Sequence, residues 1–213
     1  MDPVAFWNSI VQFTAENITT IEYIGSALLL LNVYLLAREN IWNYIPGAIG
    51  VIIFFLIFFS VQLYADALLQ IAFYLPMQIA GWWLWMYGGP TRNNDLNIIT
   101  LNNISRVTFA LVTGTLAISL GYIMNTYTEA AFPYIDSLIA ALSVVATLLM
   151  TRKILESWTM WIVVDLIAVP LYFVKELYVT SALYVVFGII ATYGLFNWYI
   201  TWRDQGDFAD DES

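Results

Sequence analysis

The segment ESWTMWIVVDLIAVPLY, residues 156–172, decides the fold class, because it is almost wholly apolar and yet carries a carboxylate near its middle. Helical positions i, i+3, i+7 and i+14 lie on one face. In this segment they are Trp158, Trp161, Asp165 and Tyr172. The other faces carry Ile, Val, Leu and Ala. The pattern predicts a membrane-spanning helix with one face suited to an aromatic or cationic guest.

The composition of the whole chain supports a membrane protein. Hydrophobic residues make up 61% of the 213 residues and charged residues 11%, whereas a soluble domain carries roughly 25% charged residues. Aromatic residues reach 17%, and many Trp and Tyr lie near segment ends, as in the aromatic belts of membrane interfaces. The chain is therefore predicted to be an all-α integral membrane protein.

Several function classes are excluded by missing residue types. The chain has no Cys and no His, which rules out disulfides, thiol catalysis and Cys/His metal sites. No cofactor is predicted, and the absence of a Lys/Arg cluster argues against nucleic-acid binding. Much of the net charge of -9 lies in the tail 203–213, which is predicted to be disordered and solvated.

Apolar segments predict one membrane domain over 1–213. Residues 3–15 read as a short interfacial helix, and seven segments are long enough to span, since a spanning helix needs about 20 residues. The predicted spans are 20–37, 45–62, 63–87, 105–124, 134–151, 157–174 and 177–202. With seven spans, six of the seven Lys and Arg fall on the side of the C-terminus. The positive-inside rule then puts the N-terminus outside and the C-terminus inside.

Matching local patterns predict an internal duplication. Gly81-Trp82 near the end of the third span resembles the region from Gly194 to Trp198 in the seventh, and Leu63-Tyr64 resembles Leu177-Tyr178. Matching positions in the two halves of the chain are separated by about 113 to 117 residues. The predicted arrangement is a three-helix repeat over 20–87, a connector helix over 105–124 and a second repeat over 134–202. A single connector makes the repeats parallel, with substrate between them near the midplane.

Polar residues inside the spans are the candidate site. Asp165 is the strongest, because a buried carboxylate without a partner costs several kcal/mol. The full set of predicted substrate-binding residues is Trp158, Trp161, Asp165, Tyr172, Gln70, Tyr74, Tyr184, Asn197 and Asn32. A lone Asn or Gln in a span also serves as interhelical glue worth about 0.6 kcal/mol, and both interpretations stay open. Pro170 is predicted to kink its helix and free carbonyls.

At several stretches the chain resembles the PnuC-type vitamin transporters of bacteria. These stretches are 21–25 (IEYIG), 58–70 (FFSVQLYADALLQ), 81–82 (GW), 142–146 (LSVVA), 150–153 (MTRK) and 156–161 (ESWTMW). The resemblance implies a 3+1+3 fold in the bacterial inner membrane and facilitated diffusion without ion coupling. It also implies a homotrimer and substrate bound between the repeats.

The chain departs from the nicotinamide riboside members of that family at two positions. They carry Asn where this chain has Asp165 and Gly50. A carboxylate beside Trp faces suits the fixed charge of thiamine through Coulomb attraction and cation–π contact. Thiamine is therefore the preferred substrate at this stage, and nicotinamide riboside, also a cation, is the alternative.

Other functions of a seven-helix membrane protein fit less well. A retinal protein needs a lysine inside the last helix, and Lys153 and Lys175 both lie at helix ends. An intramembrane enzyme has no nucleophile motif here. A proton-coupled carrier, with Asp165 as the protonation site, and a sugar facilitator of similar design remain open.

Overall fold

The computed structural model describes residues 2–89, 96–128, 131–176 and 178–211. Its helices are α1 (Pro3–Glu16), α2 (Ile18–Ala37), α3 (Tyr44–Ser60), α4 (Tyr64–Leu69), α5 (Leu75–Tyr87), α6 (Asn103–Tyr127), α7 (Pro133–Thr151), α8 (Glu156–Val174) and α9 (Tyr178–Asp211). A 3₁₀ turn, Ile41–Asn43, leads into α3, and a π turn, Gln70–Tyr74, joins α4 to α5. In the described residues, seven helical stretches are long and apolar enough to cross a membrane. The prediction of an all-α protein with seven spans is confirmed.

The ends of the spans agree with the sequence to within a few residues, with one larger difference. The last helix continues to Asp211 instead of ending at 202. No proline interrupts the chain after Trp202, so the intrahelical hydrogen bonds continue without loss. The segment 203–213, predicted to be disordered, is therefore helical as far as Asp211, and 212–213 lie outside the described residues.

The third span is not the continuous α-helix that its hydropathy predicted. The backbone N–H of Leu75 donates to the carbonyl of Gln70, five residues earlier, which is the hydrogen bond of a π turn. Pro76 follows at once. It lacks an N–H, and its ring would clash with the carbonyl of Ala72 in a regular α-helix. The wider π turn therefore lies where the proline disfavours α-helical packing.

Residues Met1–Trp83 form one compact unit, called unit 1. The ring of Trp7 on α1 lies 5.2 Å from that of Phe59 on α3, edge to face. Helices α2 and α3 approach closely at two glycines: a Cβ at Gly25 would lie 2.8 Å from Ile53, and one at Gly50 would lie 2.8 Å from Leu29. Small residues at such crossings let helix backbones pack tightly in membranes.

Residues Leu84–Ser213 form the second compact unit, unit 2. The segment 96–101, here called the strap, pairs with the turn before α8: Leu155 N–H donates to the Ile99 carbonyl at 2.9 Å. The Glu156 carboxylate accepts from the Leu101 N–H, with both oxygens at 3.1 Å. It also pairs with Arg106 on α6 at 2.8 Å. One carboxylate thus fastens the strap and α6 to the start of α8.

Four turns in the two units repeat the same backbone geometry. In the described part of the chain, the non-glycine residues with positive φ are Glu39 (53°), Gln62 (64°), Lys153 (50°) and Glu176 (61°). Glu39 and Lys153 follow α2 and α7, whereas Gln62 and Glu176 follow α3 and α8. Each pair is 114 residues apart. A non-glycine residue with a left-handed backbone conformation is uncommon. Two pairs of such residues at the same separation of 114 residues are therefore a distinctive feature of this chain.

Candidate functional site

Three of the contacts between helices α8 and α9 of unit 2 are here called the α8–α9 ladder. Its middle contact joins Asp165 to Gly188. Asp165 is buried, with 5% of its surface exposed, and a Cβ at Gly188 would lie 3.7 Å from its Oδ2. Among the described residues, none hydrogen-bonds to or forms an ion pair with this carboxylate. A buried acceptor in this state is costly, which favours a role beyond packing.

The second contact of the ladder is a pair of stacked tyrosines. The rings of Tyr172 and Tyr184 lie 5.1 Å apart at an interplanar angle of 24°. Lys175, at the end of α8, donates to both carboxylate oxygens of Asp136, at 2.8 and 3.0 Å. Its ammonium nitrogen lies 5.9 Å from the centroid of the Tyr172 ring. This end of unit 2 therefore already holds a cation between a carboxylate and an aromatic ring.

The third contact is a tryptophan cluster. Trp158 is 1% exposed and meets Trp198 edge to face, with centroids 5.5 Å apart. A Cβ at Gly194 would lie 2.7 Å from its ring. Its indole Nε1–H is buried and has no hydrogen-bond partner in the described part of the chain. Trp158 is thus enclosed in the helix interface, where a transported molecule does not reach it without rearrangement.

Seven-residue spacing places Trp158, Asp165 and Tyr172 on one face of α8, as the sequence predicted. Trp161 lies at the edge of the same face, about 20° around the helix from Tyr172. It is half-buried and packs on the apolar cluster that includes Ile139 and Val164. Tyr172 and Tyr184 pack on the same cluster, so the four predicted residues share one face of α8, and their role in substrate binding stays a prediction.

A polar cluster lies in unit 1 where α2, α3 and α5 meet. The side-chain amide of Asn32 donates to the backbone carbonyl of Asn43 at 2.9 Å, and both residues are buried. A Cβ at Gly47 would lie 2.6 Å from the Asn32 amide nitrogen and 2.7 Å from Gln78 Oε1. The two amides therefore crowd the same glycine. Asn32 has a structural partner, and Gln78 is a polar neighbour that was not among the predicted site residues.

The remaining predicted residues lie elsewhere. Gln70 and Tyr74 begin and end the π turn of unit 1, and both are half-buried. Asn197 on α9 is half-buried and comes nine residues after Gly188. Since a helix turns about 100° per residue, Asn197 lies on the side of α9 opposite to Gly188. It lies one turn after Gly194, at the tryptophan end of the ladder, and its role in substrate binding stays a prediction.

One feature of the site was missed from the sequence. Gln78 is not that feature, because its four-residue spacing from Tyr74 and Gln70 already indicated a polar face of the third span. The burial of Lys153 was not expected from its place at a helix end: it is 6% exposed, and its Nζ lies 4.6 Å above the Trp85 ring. The aliphatic stem of lysine packs readily on apolar surface, and local sequence does not reveal that.

Comparisons with known proteins identify the family. Residues 19–200 match the family described as Nicotinamide mononucleotide transporter. The nicotinamide riboside transporter PnuC of Escherichia coli (strain K12) is 31% identical over 91% of this chain and 90% of its own length. The riboflavin/roseoflavin transporter RibM of Streptomyces davaonensis is 24% identical over 88% of both chains.

A solved structure shows the same fold. The crystal structure of the vitamin B3 transporter PnuC superposes with a TM-score of 0.69 at 19% identity, covering 96% of this chain and 93% of that one. The names of these relatives support the alternative substrate, nicotinamide riboside, and give no support to the preferred one, thiamine. The chain belongs to the nicotinamide mononucleotide transporter family, which includes PnuC, and is a multi-pass transporter of the bacterial inner membrane.

Proposed function

We propose that this protein takes up nicotinamide riboside by facilitated diffusion. The observation that carries the proposal is the 31% identity to the Escherichia coli nicotinamide riboside transporter over 91% of the chain. The family match over residues 19–200 reaches all seven spans, so the similarity is not confined to a few helices. The proposal replaces thiamine, which was preferred because Asp165 and Gly50 depart from the riboside pattern and because Asp165 lies on a face with two Trp residues.

The chemistry of unit 2 fits a cation of this kind. Nicotinamide riboside carries a permanent pyridinium charge, which the buried Asp165 carboxylate attracts and which aromatic faces stabilise by up to about 2 kcal/mol when desolvated. The six Lys and Arg that the structure describes lie in loops or near the ends of spans. None of these six is placed at mid-depth to neutralise a phosphate, which favours the riboside over its phosphorylated mononucleotide.

Reconstituted liposomes test the substrate. Purified protein should accumulate labelled nicotinamide riboside to equilibrium without an applied gradient, and an excess of unlabelled riboside should compete. Thiamine, riboflavin and nicotinamide mononucleotide form the competitor panel. Stronger competition by thiamine than by the riboside would identify thiamine as the better substrate and overturn the proposal.

A pH gradient separates facilitated diffusion from proton coupling. A facilitator equilibrates its substrate at the same final level with or without the gradient. Accumulation above the external concentration, driven by an inward proton gradient, would instead identify Asp165 as the candidate proton carrier. Empty liposomes provide the background in both conditions.

We also propose that the chain is a 3+1+3 duplication. The two pairs of left-handed residues, Glu39 with Lys153 and Gln62 with Glu176, support it through their shared spacing of 114 residues. Tyr44 and Trp158 have the same spacing, and each ring lies against a glycine of the third helix in its own repeat. The homotrimer implied by the resemblance has no support from the relatives and stays a prediction, testable by light scattering on the purified protein.

A further inference from the structure

We propose that the π turn Gln70–Tyr74 is a one-residue insertion in the third span and that it positions Gln70 and Gln78 on one face, toward the substrate path. The part that concerns substrate rests on the proposed function. The geometric part rests on unit 1 and on its comparison with unit 2 alone.

The spacing between equivalent positions changes by one residue across the turn. Before it, Gln62 and Glu176 are 114 residues apart. After it, Gly81 and Gly194 are 113 apart, and they are matched by their contacts: a Cβ at Gly81 would lie 2.6 Å from the Tyr44 ring, and one at Gly194 would lie 2.7 Å from that of Trp158. Unit 1 therefore holds one extra residue between Gln62 and Gly81. The π turn lies inside that interval, and a π turn is the form in which a helix absorbs an extra residue.

The extra residue rotates the two ends of the span relative to each other. In an α-helix each residue turns about 100°, so Gln70 and Gln78, eight residues apart, would lie about 80° apart around the axis. Absorbing one residue in the π turn removes about 100° of that rotation and leaves the two side chains about 20° apart. The insertion thus brings Gln70 and Gln78, which would otherwise be about 80° apart around the helix, onto one face.

The direction of that face is fixed by Gln78. Its Oε1 lies beside Gly47 and the Asn32 amide, in the polar cluster of unit 1. The π turn therefore places the Gln70 amide on the same side of the span as Gln78, about two helical turns from it. A side-chain amide offers both donors and an acceptor, which suits ribose hydroxyls and a carboxamide. In unit 2 the position matching Gln78 is Ala191, which is buried and apolar, so the glutamine pair distinguishes the two units.

A pair of single-residue deletions tests the insertion. Deleting Ala72, inside the π turn, in a Pro76→Ala background that removes the ring clash, should convert the span to a regular α-helix, leave the protein folded and weaken nicotinamide riboside binding at least tenfold. The matched control deletes Val186, the equivalent residue of α9, where the helix has no π turn to relax. That deletion should lower the midpoint of thermal unfolding sharply. If the Ala72 deletion unfolds the protein as readily as the Val186 deletion, the insertion proposal is wrong.

Point substitutions test the positioning separately from the fold. Gln70→Leu and Gln78→Leu should each reduce riboside affinity at least tenfold with an unchanged unfolding midpoint. Pro76→Ala keeps the chain length and should leave affinity within threefold of the parent. Parent-like affinity in both leucine variants would overturn the role in binding.

Cysteine labelling needs no substrate, so it tests the geometry of the π turn even if the proposed substrate is wrong. The chain has no cysteine, so Gln70→Cys and Gln78→Cys can each be labelled alone with a membrane-impermeant thiol reagent. Both should react faster than Leu68→Cys, and the Ala72 deletion should slow labelling at position 70 at least tenfold. If the parent binds no riboside but this pattern appears, only the proposed substrate fails. Equal labelling at position 70 with and without Ala72 overturns the geometry.

Discussion

A single carboxylate dominates the chemistry of unit 2. Asp165 is buried beside Gly188, and no described residue pairs with it. Replacing it in Asp165→Asn removes a buried charge, so the unfolding midpoint should stay unchanged or rise. Affinity for the cationic substrate should fall at least tenfold, because the attraction to the pyridinium is lost. Tryptophan-fluorescence titration with nicotinamide riboside measures this change.

The control for that variant is an exposed carboxylate. Asp204→Asn removes a charge that is half-exposed on α9, and it should change neither affinity nor stability. Parent-like affinity in Asp165→Asn would place the carboxylate outside the binding site.

The glycine that faces this carboxylate offers a finer test. In Gly188→Ala the new methyl would lie 3.4 Å from Asp165 Cβ, an ordinary contact, and it should lower affinity severalfold by shielding the carboxylate. Gly114→Ala is the matched control, because a Cβ there meets nothing within 4 Å. Both changes gain up to about 1 kcal/mol of helix propensity. An equal affinity in the two variants would contradict the role of the Asp165–Gly188 contact.

At the scale of elements, Glu156 fastens the strap to α8. Glu156→Gln weakens the pair with Arg106 and the hydrogen bonds from the Leu101 N–H. The free energy of unfolding should fall by about 1–3 kcal/mol, as for a partly buried charged acceptor. Arg106→Gln should cost less than about 1 kcal/mol, because it removes only the exposed partner. Thermal unfolding in detergent ranks the two, and a larger loss in the arginine variant would contradict this account.

The sequence predicted the helices better than their internal geometry. Hydropathy located all seven spans, because membrane thickness sets one length for each of them. It did not show the π turn, since an insertion leaves the apolar run unchanged, although Pro76 marked the place. Seven-residue spacing correctly put Trp158, Asp165 and Tyr172 on one face. Whether such a face meets a cavity or another helix depends on tertiary packing, and for Trp158 that packing is Gly194 and Trp198.

At the scale of the whole molecule, the distribution of charge predicts the orientation. Six of the seven Lys and Arg lie on the side of the C-terminus, which the positive-inside rule assigns to the cytoplasm. A cysteine at Asp2 should therefore react with an impermeant thiol reagent on intact cells. A cysteine at Asp204 should react only after the membrane is opened. The opposite pattern would invert the assigned orientation.

The left-handed turns have a practical consequence for anyone engineering this transporter. Gln62 and Glu176 hold positive φ on exposed side chains, a conformation that costs an L-residue about 1 kcal/mol or more and that glycine adopts freely. The double variant Gln62→Gly and Glu176→Gly should therefore resist heat better than the parent in detergent, at undiminished uptake. Alanine at the same two places should bring no such gain, because it keeps the Cβ that causes the strain. Substitutions in two surface turns should thus raise the thermal stability of the purified protein without changing any side chain that faces the membrane or the substrate.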